Sequence, residues 1–137
     1  MGKLKLNVED REALAAALSA LDGYGEGENR VVYKFSQTTR LKLAKALAKV
    51  TASLNEYKLA QSALIRQVNP KNLKLDQPDI TPEERRLIQE GIAAVEKLRQ
   101  ESIAELVLPD LKAKELEQDD QAIPIVVLAG LDSLLKG

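Results

Sequence analysis

The sequence contains no cysteine and no histidine in 137 residues. Those absences exclude zinc sites of the Cys/His type, an axial histidine for haem, a cysteine nucleophile and a Ser-His-Asp triad. Carboxylates, Lys, Tyr, Ser, Thr and backbone groups remain as chemical actors, a set that still permits Mg²⁺ or Ca²⁺ binding and carboxylate acid/base work. Aromatic residues make up 3% of the chain, one Phe and three Tyr with no Trp, so few rings are available for base stacking. No apolar run approaches the roughly 18–20 residues of a membrane span, and Met1-Gly2-Lys3-Leu4 opens no signal-peptide pattern. A cytosolic, non-secreted protein with no membrane partner is expected, and the lack of Cys is compatible with a reducing compartment.

With 45% apolar and 30% charged residues, the composition is that of one soluble globular domain, 1–137. A chain of this length buries roughly two-thirds of its unfolded surface and needs no disulfide or metal staple. The net charge of −1 conceals a segregation. Residues 1–29 carry −3; residues 30–74 carry +9, with ten basic residues against Glu56 alone; residues 75–137 carry −7.

Lys3-Leu4-Lys5-Leu6 alternates as a short half-buried strand does. Asn7 is placed to cap a first helix whose opening turn holds Glu9 and Asp10, next to the positive end of the helix dipole. Leu14, Ala17, Leu18 and Leu21 form its apolar stripe, and Asp22-Gly23 stops it, with Gly25 and Gly27 extending the turn. Arg30 to Phe35 has strand composition.

From Ser36 to Val68 there is no Pro and no Gly, and the composition is rich in Leu, Ala and Lys, which predicts one long helix. Leu43, Leu47, Val50, Leu54, Tyr57, Gln61, Leu64 and Val68 follow the 4-3-4-3 spacing of a left-handed coiled-coil seam, broken only by Gln61. Asn69-Pro70 closes that helix, and Thr81-Pro82-Glu83-Glu84 reads as a cap, a first-position Pro and a capping-box Glu for a second one. Its seam is Ile88, Gly91/Ile92, Val95, Leu98 and Ser102. The connection 69–80 allows an antiparallel hairpin with arms at about 36–68 and 81–102. In the register that sets Val68 near Glu84, Leu64 lies by Ile88, Leu54 by Leu98, and Gln61 faces Gly91. Ile103–Leu108 reads as strand or as the frayed end of the second helix, with Pro109 as its limit; 110–121 reads as loop with a short extended piece. A last helix starting at Pro124 carries Val127, Leu128, Leu131, Leu134 and Leu135. The fold class expected is therefore α+β, mainly α: a long coiled-coil-like hairpin, two shorter helices, and a minor sheet from strands near 3–6, 30–35 and 103–108. Attraction between the +9 and −7 segments helps select the antiparallel pair.

Three features are candidates for function. Lys42, Lys45 and Lys49 form a basic ridge pointing away from the hairpin partner, along which a phosphate backbone or an acidic protein could lie; scarce Arg, scarce aromatics and a pI of 5.6 favour a solvated face instead. Leu41, Ala44, Ala48, Ala52, Leu59 and Ala63 form a second apolar stripe opposite the seam, which the first or last helix is expected to cover, the alternative being an oligomer or partner interface. Glu115, Glu117, Asp119 and Asp120 form an acidic cluster, but the run lacks the glycine and the Asp/Asn alternation of a calcium loop, so no metal is expected. The Gly23/Gly25/Gly27 loop lacks the context of a phosphate loop. No cofactor and no catalytic residue is identified.

At Tyr33-Lys34-Phe35-Ser36-Gln37-Thr38-Thr39-Arg40, running into Leu43-Ala44-Lys45, the chain resembles a group of small, largely uncharacterised phage and prophage proteins. In these a strand-to-helix junction of this kind precedes a long Ala/Leu/Lys helix, an acidic second helix and a short last helix with Leu-Asp near its end, here Leu131-Asp132. Ala46 stands where the pattern has a polar residue. The resemblance implies a phage context, in the host cytoplasm or the virion, and a non-enzymatic role. The expected function is a structural or accessory interaction module that self-associates or binds a protein partner, with no tight nucleic-acid binding. The alternative is an inhibitor of host or defence machinery that occupies a protein or sequesters a nucleotide signal at Lys42, Lys45 and Lys49. The interaction candidates are those three lysines with Ala48, Ala52 and Leu59.

Overall fold

The computed structural model describes residues 2–23, 27–29, 31–71, 73–118 and 122–136. The fold is mainly α with a small β component, as the sequence predicts. Along the chain run β1 (Gly2–Asn7), α1 (Val8–Leu21), α2 (Gln37–Val68), α3 (Pro82–Glu101), β2 (Ile103–Leu108), β3 (Leu111–Lys112), α4 (Ile125–Gly130) and β4 (Leu135–Lys136), with 3₁₀ turns at Gly27–Asn29 and Ala113–Leu116. The chain divides into two compact units, residues 1–54 with 103–137, and residues 55–102.

In the first unit β1 and β2 pair antiparallel, with Leu4 opposite Leu106 and Leu6 opposite Ala104, which settles 103–108 as strand rather than helix end. Asn7 ends β1 and caps α1: its Oδ1 accepts the Asp10 N–H at 2.7 Å. The expected stripe of α1 is buried, and an arginine is buried with it. Arg11 donates from Nε to the Asn7 carbonyl at 3.2 Å and from Nη1 to Ser53 Oγ at 2.8 Å, so a charge that would be costly to bury bare is hydrogen-bonded to both ends of its surroundings. Gly23 closes the helix at φ 112°, a conformation side chains rarely adopt.

The α4 segment reaches α1 through Gly130. A Cβ there would lie 2.8 Å from Ala17 Cβ and 3.0 Å from the Ala13 carbonyl oxygen, so the missing side chain sets the approach of the two helices. α4 ends at Gly130, earlier than the apolar pattern through Leu135 predicts. Leu131 and Leu134 are nonetheless buried from the turn that follows, and Leu135 pairs in parallel with Leu111. Leu14, Ala46, Val50, Leu108, Leu111, Leu131 and Leu134 form the deepest part of the core, each at most 1% exposed. Ala46 is completely buried, so a polar residue there would be desolvated without a partner.

The strand expected at 30–35 does not form. Val31 makes an isolated bridge, residues 32–36 belong to no strand, and Arg30 lies outside the described residues. The backbone of Lys34 finds its partners elsewhere: its N–H donates to Gln118 Oε1 at 2.7 Å, and its carbonyl accepts from Gln118 Nε2 at 2.8 Å. One side-chain amide thus replaces the neighbouring strand that strand-forming composition alone implies.

The seam of α2 is inward-facing throughout, with Leu43, Val50, Leu54 and Tyr57 buried and Leu47, Gln61, Leu64 and Val68 half-buried. It faces two environments in succession. Leu43, Ala46, Val50 and Leu54 belong to the core shared with α1, β2 and α4, and in the 55–68 portion α3 is a partner, with Gly91 against Val68.

In the second unit α3 opens on the predicted capping box, Thr81 Oγ1 accepting from Glu84 N–H and Glu84 Oε1 accepting from Thr81 N–H, each at 3.1 Å, with Pro82 at the first helical position. The bonds from Thr81 hold the Glu84 carboxyl below the usual carboxylate range. In the connection, Asn69 clasps Leu73, donating from Nδ2 to its carbonyl at 2.9 Å and accepting its N–H at 3.0 Å. The expected register is displaced by one heptad. A Cβ on Gly91 would lie 3.0 Å from Val68 Cγ2, so Val68 rather than Gln61 fills the space of the missing side chain. With Val68 beside Gly91, about two and a half turns of α3 lie beyond the end of α2, alongside which the 69–81 connection returns. A seam of 3.5-residue period fits equally well one heptad along, and only this packing decides between the two.

Candidate functional site

The three lysines of the basic ridge lie on consecutive turns of α2, and the structure gives them unequal roles. Lys42 places Nζ 3.1 Å from both carboxylate oxygens of Glu115. The same carboxylate accepts the Thr39 hydroxyl at 3.1 Å and the Lys112 N–H at 3.2 Å, and Thr39 Oγ1 itself accepts from Ser36 Oγ at 3.0 Å. The Lys42 bond is the main cause that holds the Glu115 carboxyl below the usual carboxylate range; burial opposes it, and the Lys112 and Thr39 bonds reinforce it. Lys49 donates from Nζ to the Val107 carbonyl at 2.7 Å, tying α2 to β2. Lys45 is exposed. Two of the three lysines therefore fasten α2 to the returning chain, Lys42 through its ion pair with Glu115 and Lys49 through the Val107 carbonyl. Within α3, Arg86 pairs along the helix with Glu83 and Glu90.

The second stripe is not covered. Leu41, Ala44, Ala48, Ala52, Leu59 and Ala63 are all exposed, Leu41 by 57% and Leu59 by 69%. The expectation that the first or last helix lies over it is overturned: α1 and α4 share one core with the other side of α2, to which Leu43, Ala46 and Val50 contribute together with Leu14, Leu18 and Leu131. Ala48, Ala52 and Leu59 are thus accessible to a partner.

The acidic cluster is dispersed by Glu115, which turns to Lys42. Glu117 is exposed, while Asp119 and Asp120 lie outside the described residues. Among the described residues no three carboxylates gather around a point that could hold a metal ion. Of the glycine loop, Gly23 and Gly27 have positive φ and Gly25 lies outside the described residues.

The 55–102 unit also carries an exposed apolar surface of which periodicity singled out only part, Leu59 in the second stripe and Ile92 as the alternative to Gly91 in the α3 seam; the structure buries Gly91 and leaves Ile92 56% exposed. Leu59, Ile65, Leu75, Leu87 and Ile92 are exposed there, against Tyr57 and Ile88 as its large buried side chains. For Ile65, Leu75 and Leu87 the signal was present in the sequence as apolar residues lying off the seam. No described helix is long and apolar enough to cross a membrane.

No protein-family model, no curated protein and no solved structure matches the chain.

Proposed function

We propose that the chain is a non-enzymatic interaction module that self-associates through its helical hairpin, as a structural or accessory protein of a phage. The observation that carries the reading is the hairpin unit's surface, where exposed large apolar side chains outnumber buried ones among the described residues. Water-facing apolar area on so thin an element is the mark of a surface used for association. The charge balance is compatible with two copies meeting: residues 55–102 hold eight basic and eight acidic side chains, so no net repulsion opposes contact. The phage setting rests on the resemblance carried by the junction at residues 33–45.

Size-exclusion chromatography with light scattering tests the proposal. A dimer or larger species is expected at about tens of micromolar, where a modest interface saturates, and a strict monomer overturns it. Leu59→Glu with Ile92→Glu should give a folded monomer by circular dichroism. Ala48→Glu with Ala52→Glu should leave the fold intact and dissolve the assembly only where the α2 stripe takes part. Nucleic acid should bind weakly and with steep salt dependence, since Lys42 and Lys49 are engaged internally; fluorescence anisotropy across a salt series reads this directly.

A further inference from the structure

In the first unit, the end of α1, the extended residues 32–35 and the opening turns of α2 enclose an open cleft of about 600 Å³. Its walls are mostly hydrocarbon, from Leu18, Leu21, Phe35, Leu43 and Leu47. Val32 and Leu41 also line it and remain more than half exposed, so the cleft opens to solvent. Besides Tyr33, its polar lining residues are Asp22 at the end of α1 and Gln37 and Arg40, which are neighbours three apart on the first turn of α2. A volume in the hundreds of cubic ångströms with apolar walls and a few converging polar groups is the form of a small-molecule site.

The charge around it selects the ligand. Among the described residues the Arg40 guanidinium makes no ion pair, unlike Lys42, which Glu115 neutralises two residues further along. Arg40 is the basic residue of the lining and α2 contributes no carboxylate to it, so the α2 side of the cleft favours an anion. A guanidinium with its planar donors beside an amide is suited to a carboxylate. We propose that this cleft binds a hydrophobic monocarboxylate, with the hydrocarbon between α1, Phe35 and α2 and the acid on Arg40 and Gln37.

Isothermal titration of the full chain with decanoate, decan-1-ol and decylamine separates the possibilities. Decanoate should bind saturably at one site and about tenfold tighter than the alcohol or the amine, the increment of one charge-assisted contact. Arg40→Gln should reduce decanoate to the level of the alcohol, whereas Asp22→Asn, which removes the one acid in the lining, should strengthen it by about two- to threefold, as expected for an exposed charge. Ala44→Phe fills the cleft from an exposed helical position, leaves the circular dichroism unchanged and should abolish binding of all three. Absence of saturable binding, equal affinity for the three probes, preference for the amine, an unaffected Arg40→Gln variant, or binding that survives Ala44→Phe would each overturn the proposal.

Discussion

The same helix, with the same period, is buried to very different depths in the two units. In the 1–54/103–137 unit, Val50 of the α2 seam is completely buried; further along, in the 55–102 unit, Tyr57 is still buried but Leu64 and Val68 of the same seam are only half-buried. What differs is the number of elements that meet. Around Val50, helices α1 and α4 and strands β1 to β3 contribute side chains to one core. Around Leu64, within the 55–102 unit, α3 is the neighbouring helix. The spacing of apolar residues thus determines which side of a helix turns inward, while the depth of burial depends on what the rest of the chain brings to that side. The first unit rests on its core, and the second leans on local devices, the Thr81 capping box and the Asn69 clasp.

The largest test of this contrast is a pair of truncations. Leu14→Ala should cost about 2–5 kcal/mol in chemical denaturation, the range for a fully buried leucine in a packed core. Ile88→Ala should cost about 2 kcal/mol or less, since its thin surroundings collapse readily, and should speed amide exchange in the hairpin while the first unit stays protected. Equal costs would break the distinction. Next in size, Gly130→Val should lower stability by about 1–3 kcal/mol through overpacking against Ala17 and the Ala13 carbonyl, with hairpin exchange unchanged.

Glu115→Gln should cost about 1 kcal/mol by weakening its charge-assisted bonds to Lys42 and Thr39. It should also remove a pH dependence. The folded carboxyl lies below its unfolded value, so its contribution is full above the ordinary carboxylate range and is lost as the pH falls through the lowered folded value. Stability measured from about pH 6 to pH 2 should bring wild type down toward the Glu115→Gln variant. The smallest effect has the opposite sign. The Tyr57 hydroxyl is buried without a hydrogen-bond partner, and Tyr57→Phe should raise the melting free energy by up to about 1 kcal/mol. A loss would mean that the hydroxyl is paired in solution.

Features controlled by neighbours a few residues apart were legible without the structure. Asn7 caps Asp10, and Thr81 and Glu84 cap each other, because the donors and acceptors are three positions apart on a turn whose geometry is fixed. The alternation at 3–6, the glycine-free span of α2 and its inward seam belong to the same class. The candidate site was legible only as a set of exposed types at helical spacing.

Tertiary structure decided the rest, wherever the partner lies far along the chain. Gln118 meets Lys34 across 84 positions and prevents the strand at 30–35; Glu115 meets Lys42 across 73 and turns a basic ridge into an anchor; Ser53 meets Arg11 across 42 and allows an arginine inside. Val68 against Gly91 sets the heptad, and the side of α2 taken by α1 and α4 leaves the Leu41–Ala63 stripe open. Short-range geometry is dictated by the backbone itself, so the local sequence determines caps, periods and the inward side. Which distant groups satisfy a buried polar atom, or fill a missing side chain, depends on where the chain returns, and that is a property of the packed molecule alone.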